Sequence, residues 1–466
     1  MKKILTLLVF IALWSCQKED EEVVSNNPQP TSIQLFNLDD VPTITLELSV
    51  EQWNAFLTNY DLNSKNEKKV VSKFTFELNG QKIELDSIGV KMRGNTSRRR
   101  PEGVGGEMHN PINPNWHHCH FGLDFSKFRD AQRFEGLNKI NLKWFKDDAN
   151  YVREIYSYNL FDKFGVWTAP KASYCRLKIN IKGDASPAYY GVYSMIESID
   201  EDYIAKRQAQ WTNTIGFLWK AGWSGSNNAN FVSTASMGVE DVKMNDALSK
   251  YYAYDLKTRE EELANAKTEL TQFITDLNTK TGNDFQNWIS QKMDVNLFLK
   301  TYATNVMLGM WDDYWVNGNN FYFYFAGNGK AYFIPYDYDN TLGTSQIIAN
   351  SGTQNPLTWG NMSQSPLITK ILDIPEYKTL YKNYISELID PTNDLFAGDR
   401  SKIRILKWQN KISSYVSNDT GEDMLIEDKP ASWGNQPNYR LLSGNSQGGS
   451  NGPANYFTSR TTTIPW

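Results

Sequence analysis

The sequence predicts an α+β protein of two lobes, a β-rich one followed by a mainly helical one with a strand pair inside it. Three observations carry this. Residues 40–200 hold most of the alternating apolar/polar runs, residues 294–416 hold the strongest helical periodicity, and between the helices lies "NNFYFYFAGNGKAYFIPYDYDNT". Alternation marks strands and a recurrence of three to four marks helices.

Taken in order, "VPTITLELSVEQWNAFL" (41–57) alternates and then turns helical. "KFTFELNGQKIELDSIGVKMRG" (73–94) reads as strand, an Asn79-Gly80 turn, strand and strand. Further strands are expected at 119–125, 138–144 and 173–181. The helix "NYVREIYSYNLFDKFG", stopped by Gly165, falls between the last two. Residues 40–200 therefore read as a sheet with one helix packed on it, within a β-rich lobe of residues 33–200. In 201–430, "DVNLFLKTYATNVMLGMW" (294–311) is a helix with Asp294 as N-cap, and 376–389 and 399–416 are two more. Gly327-Asn328-Gly329 turns the strand pair into a hairpin. Residues 431–466, rich in Gly, Asn, Ser and Pro, read as loop.

The N-terminus carries its own signals. "MKKILTLLVFIALWSC" has a charged start and an apolar stretch too short to span a bilayer, the layout of an export signal. Its closing Ser15-Cys16 resembles a lipobox, which would make residues 1–16 a lipoprotein signal and tether the mature chain by a lipid on Cys16. The acidic run in residues 17–32 reads as a flexible tether and resembles tags that send Gram-negative lipoproteins to the outer face of the outer membrane. That placement is a cell-surface expectation. A formal net charge of -5, with "RRRPE" (98–102) the sole basic cluster, argues against a nucleic-acid partner. Cys119 and Cys175 could pair in an oxidising compartment, and the sequence leaves this open.

The chemistry gathers at the hairpin. Asp312/Asp313 and Asn319/Asn320 precede its first strand, and Asp337 and Asp339 follow its second. Pro335 cannot donate to a ladder, so pairing should fade before those carboxylates. Asp337 and Asp339 are two apart and would share a face of extended backbone. Carboxylates with an Asn oxygen make a hard, oxygen-only site suited to Mg²⁺. The bland alternative is a solvated Asp/Asn turn.

These pieces resemble the CotH kinase family, an atypical protein-kinase-like group. "VKMRGNTS" (90–97), "DDANYVRE" (147–154), "YYGVYSMIESID" (189–200), "GFLWK" (216–220) and the two hairpin segments run in the family's order, over roughly residues 40–420. The resemblance implies a two-lobed kinase-like fold with a catalytic β-hairpin and ATP/Mg²⁺-dependent phosphorylation of Ser/Thr hydroxyls on a surface or exported protein. It implies Asp313 as the residue that orients or deprotonates the acceptor, with Asp312 the fallback. Asp337 would be the main metal ligand, supported by Asp339, Asn320 and Asn319. Arg93, Gly94, Asn95 and Ser97 would face the phosphates, with Lys220 on the strand that follows. Glu197 would sit near the adenine.

One segment departs from the family. All four histidines, His109, His117, His118 and His120, lie in one window, and His118 and His120 take strand positions where the family carries phosphate-contacting lysines. They share one face and His117 and Cys119 the other. Three roles are open: a polar strand lining a cleft, neutral imidazoles on an anionic ligand, or zinc ligands at His118/His120. Arg93, Arg98–Arg100 or Lys143 are possible substitutes for the missing lysines. The alternative function is a non-catalytic surface lipoprotein that uses the kinase-like scaffold to bind a glycan or a protein.

Overall fold

The first strand follows from its alternation: β1 (Thr43–Leu48) buries Ile44, Leu46 and Leu48, as a period of two requires. In this computed structural model residues 34–102, 116–224, 227–422, 424–435, 438–444 and 455–466 are described. Residues 1–32, with Cys16, and His109 lie outside them. Ser49 caps α1 (Val50–Leu62), its Oγ accepting from the Gln52 N–H at 3.3 Å. β2 (Val70–Leu78) and β3 (Gln81–Arg93) pair across Asn79-Gly80, both at positive φ as a tight hairpin turn demands. β3 is one strand where the sequence suggested two. A bulge at Ser87 (φ 59), with Ser72 opposite Ile88 and Phe74 opposite Leu85, bends it without ending it.

β4 (His120–Asp124), β5 (Lys139–Lys143), α2 (Arg153–Lys163), β6 (Ala172–Ile181) and β7 (Ala188–Glu197) complete a closed barrel of order β1-β2-β3-β4-β5-β7-β6. The closing β1–β6 pair is parallel and the other pairs are antiparallel. The expected sheet is thus closed into a barrel, which leaves no edge to protect. Cys119 and Cys175 are buried free thiols, not a disulfide.

Beyond α3 (Glu201–Lys206) and α4 (Gln208–Trp211) come β8 (Gly216–Ala221), the ribbon of β9 (Trp223–Ser224) and β10 (Asn227–Asn228), then β11 (Met237–Gly238) and β12 (Tyr254–Leu256). Helices α5 (Leu263–Thr279) and α6 (Gly282–Lys292), neither anticipated, precede α7 (Val295–Leu308). α7 starts where expected: Asp294 accepts from the Leu297 N–H at 3.0 Å, and Gly309 at φ 66 ends it. The hairpin of β13 (Phe321–Ala326) and β14 (Ala331–Pro335) does not stand alone between helices. β13 pairs with β8, giving a five-stranded sheet β11-β12-β8-β13-β14.

α8 (Pro366–Leu372), α9 (Pro375–Ile389) and α10 (Gly398–Ile412) follow. The tail, read as loop, carries α11 (Tyr456–Thr462), because tertiary contacts hold a segment too short to be helical alone. The buried Arg460 donates to the Val306 carbonyl at 3.1 Å, and the Tyr456 hydroxyl to the Met307 carbonyl at 3.0 Å. Leu35–Trp466 form one compact unit. The fold is mixed α+β, a closed seven-stranded barrel accompanied by helices and a second sheet. Among the described residues no helix is long and apolar enough to cross a membrane.

Candidate functional site

A cleft of about 1670 Å³ is lined by barrel strands β3–β5 on one side and by β8, β12, β13 and the loops flanking the hairpin on the other. The barrel wall obeys period two: Lys91 and Arg93, then His120, Gly122 and Asp124, then Lys139, Asn141 and Lys143, all line it. Arg93 is the cross-strand partner of His120, and Lys91 of Gly122. A Cβ on Gly122 would come within 3.3 Å of the Lys91 side chain, so glycine there leaves room for the lysine to lie across the sheet.

Lys143 is the ionic centre. Its Nζ lies 2.9 Å from Glu154 on α2, 2.5 Å from Asp337 and 3.1 Å from Asp339. One ammonium thus ties the barrel wall to the end of the hairpin. Burial works to raise the Asp337 pKa, but Lys143 and Arg93 outweigh it and hold the carboxyl near 2. Asp339 shares the same ammonium less favourably. Burial and the charge of Asp337 push it up to about 6. Burial likewise raises Glu154. Asp337 does not reach this place on extended backbone, as the spacing argument assumed. Its φ is 65, and its N–H donates to the Tyr158 hydroxyl at 3.0 Å. The left-handed residue redirects the chain, and both carboxylates still meet at Lys143.

Of the two aspartates before β13, Asp312 lines the cleft and Asp313 does not. Asp313 is 1% exposed, accepts from the Trp315 N–H at 3.1 Å, and offers its carbonyl to the Asn317 and Gly318 N–H groups at 2.9 and 2.8 Å. It organises the loop, and burial beside Asp312 pushes its carboxyl well above the usual range. The fallback therefore occupies the position expected of Asp313. The Asp312 carboxylate accepts from the side-chain amides of Asn317 (2.8 Å) and Asn319 (3.0 Å), and its carbonyl from that of Asn320 (2.8 Å). The Asn319 Oδ1 is buried without a partner.

Gly94 (φ 106), Asn95 and Ser97 line the cleft, and Arg98 pins the turn by donating to the Gly94 carbonyl at 2.6 Å and to Ser64 and Asn66 carbonyls at 3.0 Å. Arg93 donates to the Tyr336 hydroxyl across the cleft. Lys220 also lines it, 6.0 Å from the Tyr336 ring centroid. Burial opposes its charge, yet Tyr322, Tyr336 and nearby carboxylates raise its pKa.

Besides Asp313, two expected site residues face elsewhere. Glu197 is bound by Arg207 through both carboxylate oxygens, at 2.9 and 2.7 Å, and Ser198 and Ile199 line the cleft in its place. His118 turns to the Tyr190 carbonyl, 2.8 Å from its Nε2, and only His120 of the pair reaches the cleft. Among the described residues no three His, Cys, Asp or Glu side chains are grouped to hold a metal ion. Lys143, named from the sequence as a substitute for the missing lysines, and Lys220 line the cleft from β5 and β8, and Lys91 on β3 joins them with its pKa lowered to about 7 by burial and by Arg93 and Arg98. Sequence reasoning missed Glu154, Tyr336 and Lys91. A charged residue ending the buried run "KINLK", followed closely by a glutamate in a helix's first turn, was the available signal for the Lys143–Glu154 pair.

A family model described as CotH kinase protein matches residues 90–441. The chain is similar to inner spore coat protein H of Bacillus subtilis, 25% identical over 301 residues that cover 64% of this chain and 75% of that protein. It is also similar to spore coat protein homolog 1 of Rhizopus delemar, 24% identical over 334 residues covering 66% of this chain and 49% of that protein. The expected place on the outer membrane of a Gram-negative cell is corrected by the first of these. That relative is named as an inner spore coat protein and comes from a Gram-positive bacterium.

Proposed function

The chain belongs to the CotH kinase protein family, and from that premise we propose that it transfers the terminal phosphoryl group of ATP to Ser or Thr hydroxyls of a protein. The observation that carries this is Lys143, whose ammonium gathers the carboxylates of Glu154, Asp337 and Asp339. Phosphoryl transfer is positioning and charge neutralisation, and a fixed cation flanked by carboxylates supplies both.

On this reading the barrel and the helical part act as the two lobes of a kinase-like fold, with β13–β14 as the catalytic hairpin. The donor set fits Mg²⁺: Asp337 and Asp339 offer carboxylates to the cleft, and Asn319 has a buried oxygen without a partner. These residues, with Asn320, would hold the ion, which would neutralise charge on the phosphate oxygens. Arg93, the Gly94–Ser97 turn, Lys91 and Lys220 would receive the phosphates through a guanidinium, backbone N–H groups and ammonium groups. Asp312 would orient the acceptor hydroxyl, Asp313 supporting its loop. Cys16 would carry a lipid, which the intact mass of the exported protein would reveal.

The test is calorimetric titration with ATP and Mg²⁺ of the protein beside Asp337→Ala. Metal-dependent binding that the variant loses supports the reading. An intact fold that binds no nucleotide overturns it and leaves a protein- or glycan-binding scaffold.

A further inference from the structure

Of the three described histidines, two are engaged. His117 Nδ1 lies 2.8 Å from Arg99 Nη2 and 3.4 Å from Glu422, and His118 Nε2 lies 2.8 Å from the Tyr190 carbonyl. His120 differs. Its Nδ1 accepts the Trp144 backbone N–H at 3.1 Å, and its Nε2 is buried with no partner. An accepting ring nitrogen carries no hydrogen, so a neutral imidazole held this way has its hydrogen on Nε2. Burial, then Lys143 and Arg93, keep the ring neutral by lowering its pKa well below the usual value. The result is a donor of fixed tautomer, 2% exposed, in a cleft wall and with nothing to donate to. A buried donor in that state is costly, and such groups call for an explanation.

The surroundings define what it would meet. Arg93 is its cross-strand partner, and the ring packs beside the Gly94 turn, where an added Cβ would stand 3.3 Å from its Cδ2 and 2.5 Å from Ser97 Oγ. Lys143 and Arg93 already bring two fixed cations to this corner. A lysine at position 120 would add like-charge repulsion, whereas a neutral imidazole adds a hydrogen bond without charge. We propose that His120 Nε2 is a tautomer-locked hydrogen-bond donor to a phosphoryl oxygen of the bound nucleoside triphosphate, a contact made by a neutral group in a cationic corner. This rests on the kinase reading above and adds to it the residue that reads one oxygen of the phosphate chain.

The test uses ¹⁵N-labelled imidazole spectra of the whole protein, tractable because the chain has only 4 histidines. Without ligand, the His120 pattern should be that of the Nε2–H tautomer, and Mg²⁺-ATP should move that nitrogen while His118 stays in place. By titration, His120→Phe, which keeps a packed ring but no donor, should weaken Mg²⁺-ATP binding about tenfold, the size of one hydrogen bond to a charged group. His120→Gln, whose amide can restore the donor, should recover most of it. An Nδ1–H tautomer in the free protein overturns the proposal without recourse to any variant. Wild-type binding that His120→Phe leaves unchanged overturns it while the kinase reading stands. No binding by wild type removes both.

Discussion

The Lys143 ammonium lies 2.9 Å from the Glu154 carboxylate, the two on a strand and a helix of the barrel part, and the same ammonium also contacts Asp337 and Asp339 beyond the hairpin. Removing it strands three carboxylates that all meet at its ammonium. Lys143→Met should cost roughly 3–5 kcal/mol of stability in metal-free buffer, the scale for breaking a buried ion pair. Millimolar Mg²⁺ should return part of that loss, and stabilise the variant more than the wild type, because the cation then meets carboxylates with no ammonium between them. Thermal melts with and without Mg²⁺ decide this. A variant as stable as wild type in the absence of metal would show that Lys143 is not the centre of the network.

The two hairpin carboxylates should respond oppositely to pH. Asp339 is raised to about 6, so its contribution to stability is complete below the ordinary carboxylate pKa and is lost as pH rises through about 6. Asp337 is lowered to about 2, so its contribution is present above the ordinary value and is lost only as pH falls toward 2. A metal needs both ionised. Mg²⁺-ATP affinity should therefore rise about tenfold between about pH 5 and about pH 7, the span over which one group of that pKa ionises. Asp339→Asn should flatten the profile; an unchanged slope would assign the step to another group.

Asp312 and Asp313 are adjacent in sequence and opposite in role. Asp312→Asn should leave the melting temperature near wild type and reduce phosphate transfer by roughly 100-fold or more, the scale of lost acid–base help. Asp313→Ala should cost roughly 1–3 kcal/mol, by leaving the Trp315 N–H unsatisfied in the interior. Melts together with mass gain on the protein or on casein separate the two. Normal stability with lost transfer in Asp313→Ala would restore the order the sequence suggested.

Much of this was legible because it is local. The β1 alternation, the Asn79-Gly80 turn, the Asp294 cap and the β13–β14 hairpin are each written in one short continuous stretch. Barrel closure was not, because the β1–β6 pair joins residues more than a hundred apart with nothing in either strand to announce the partner. α5 was missed although Ala266, Leu270, Phe273, Ile274 and Leu277 keep helical spacing, because polar residues dilute the stripe. At the site, residue types were readable and directions were not. Whether Asp312 or Asp313 faces the cleft depends on a loop closed by the carbonyl of Asp313, and His118 and His120 part because one has the Tyr190 carbonyl within reach.

Glu197 gives the sharpest separation between position in the chain and role in the fold. It ends β7, beside the cleft-lining Ser198 and Ile199, and the family resemblance had put it near the adenine as the point where the chain crosses between lobes. Its carboxylate instead accepts two hydrogen bonds from Arg207 and one from the Lys171 N–H at 3.1 Å, while the Arg207 guanidinium lies 3.7 Å from the Tyr203 ring centroid. That is a fully paired, buried carboxylate with little left to offer a ligand. Glu197→Ala should strand Arg207 in the interior and cost roughly 3–5 kcal/mol, while Glu197→Gln should cost less by keeping one accepting oxygen. Since a stranded charge accounts for most of the loss, Glu197→Ala with Arg207→Ala should cost less than the sum of the single changes. Mg²⁺-ATP affinity of the folded variants should match wild type. Weaker nucleotide binding by Glu197→Gln at unchanged stability would return the residue to the adenine site.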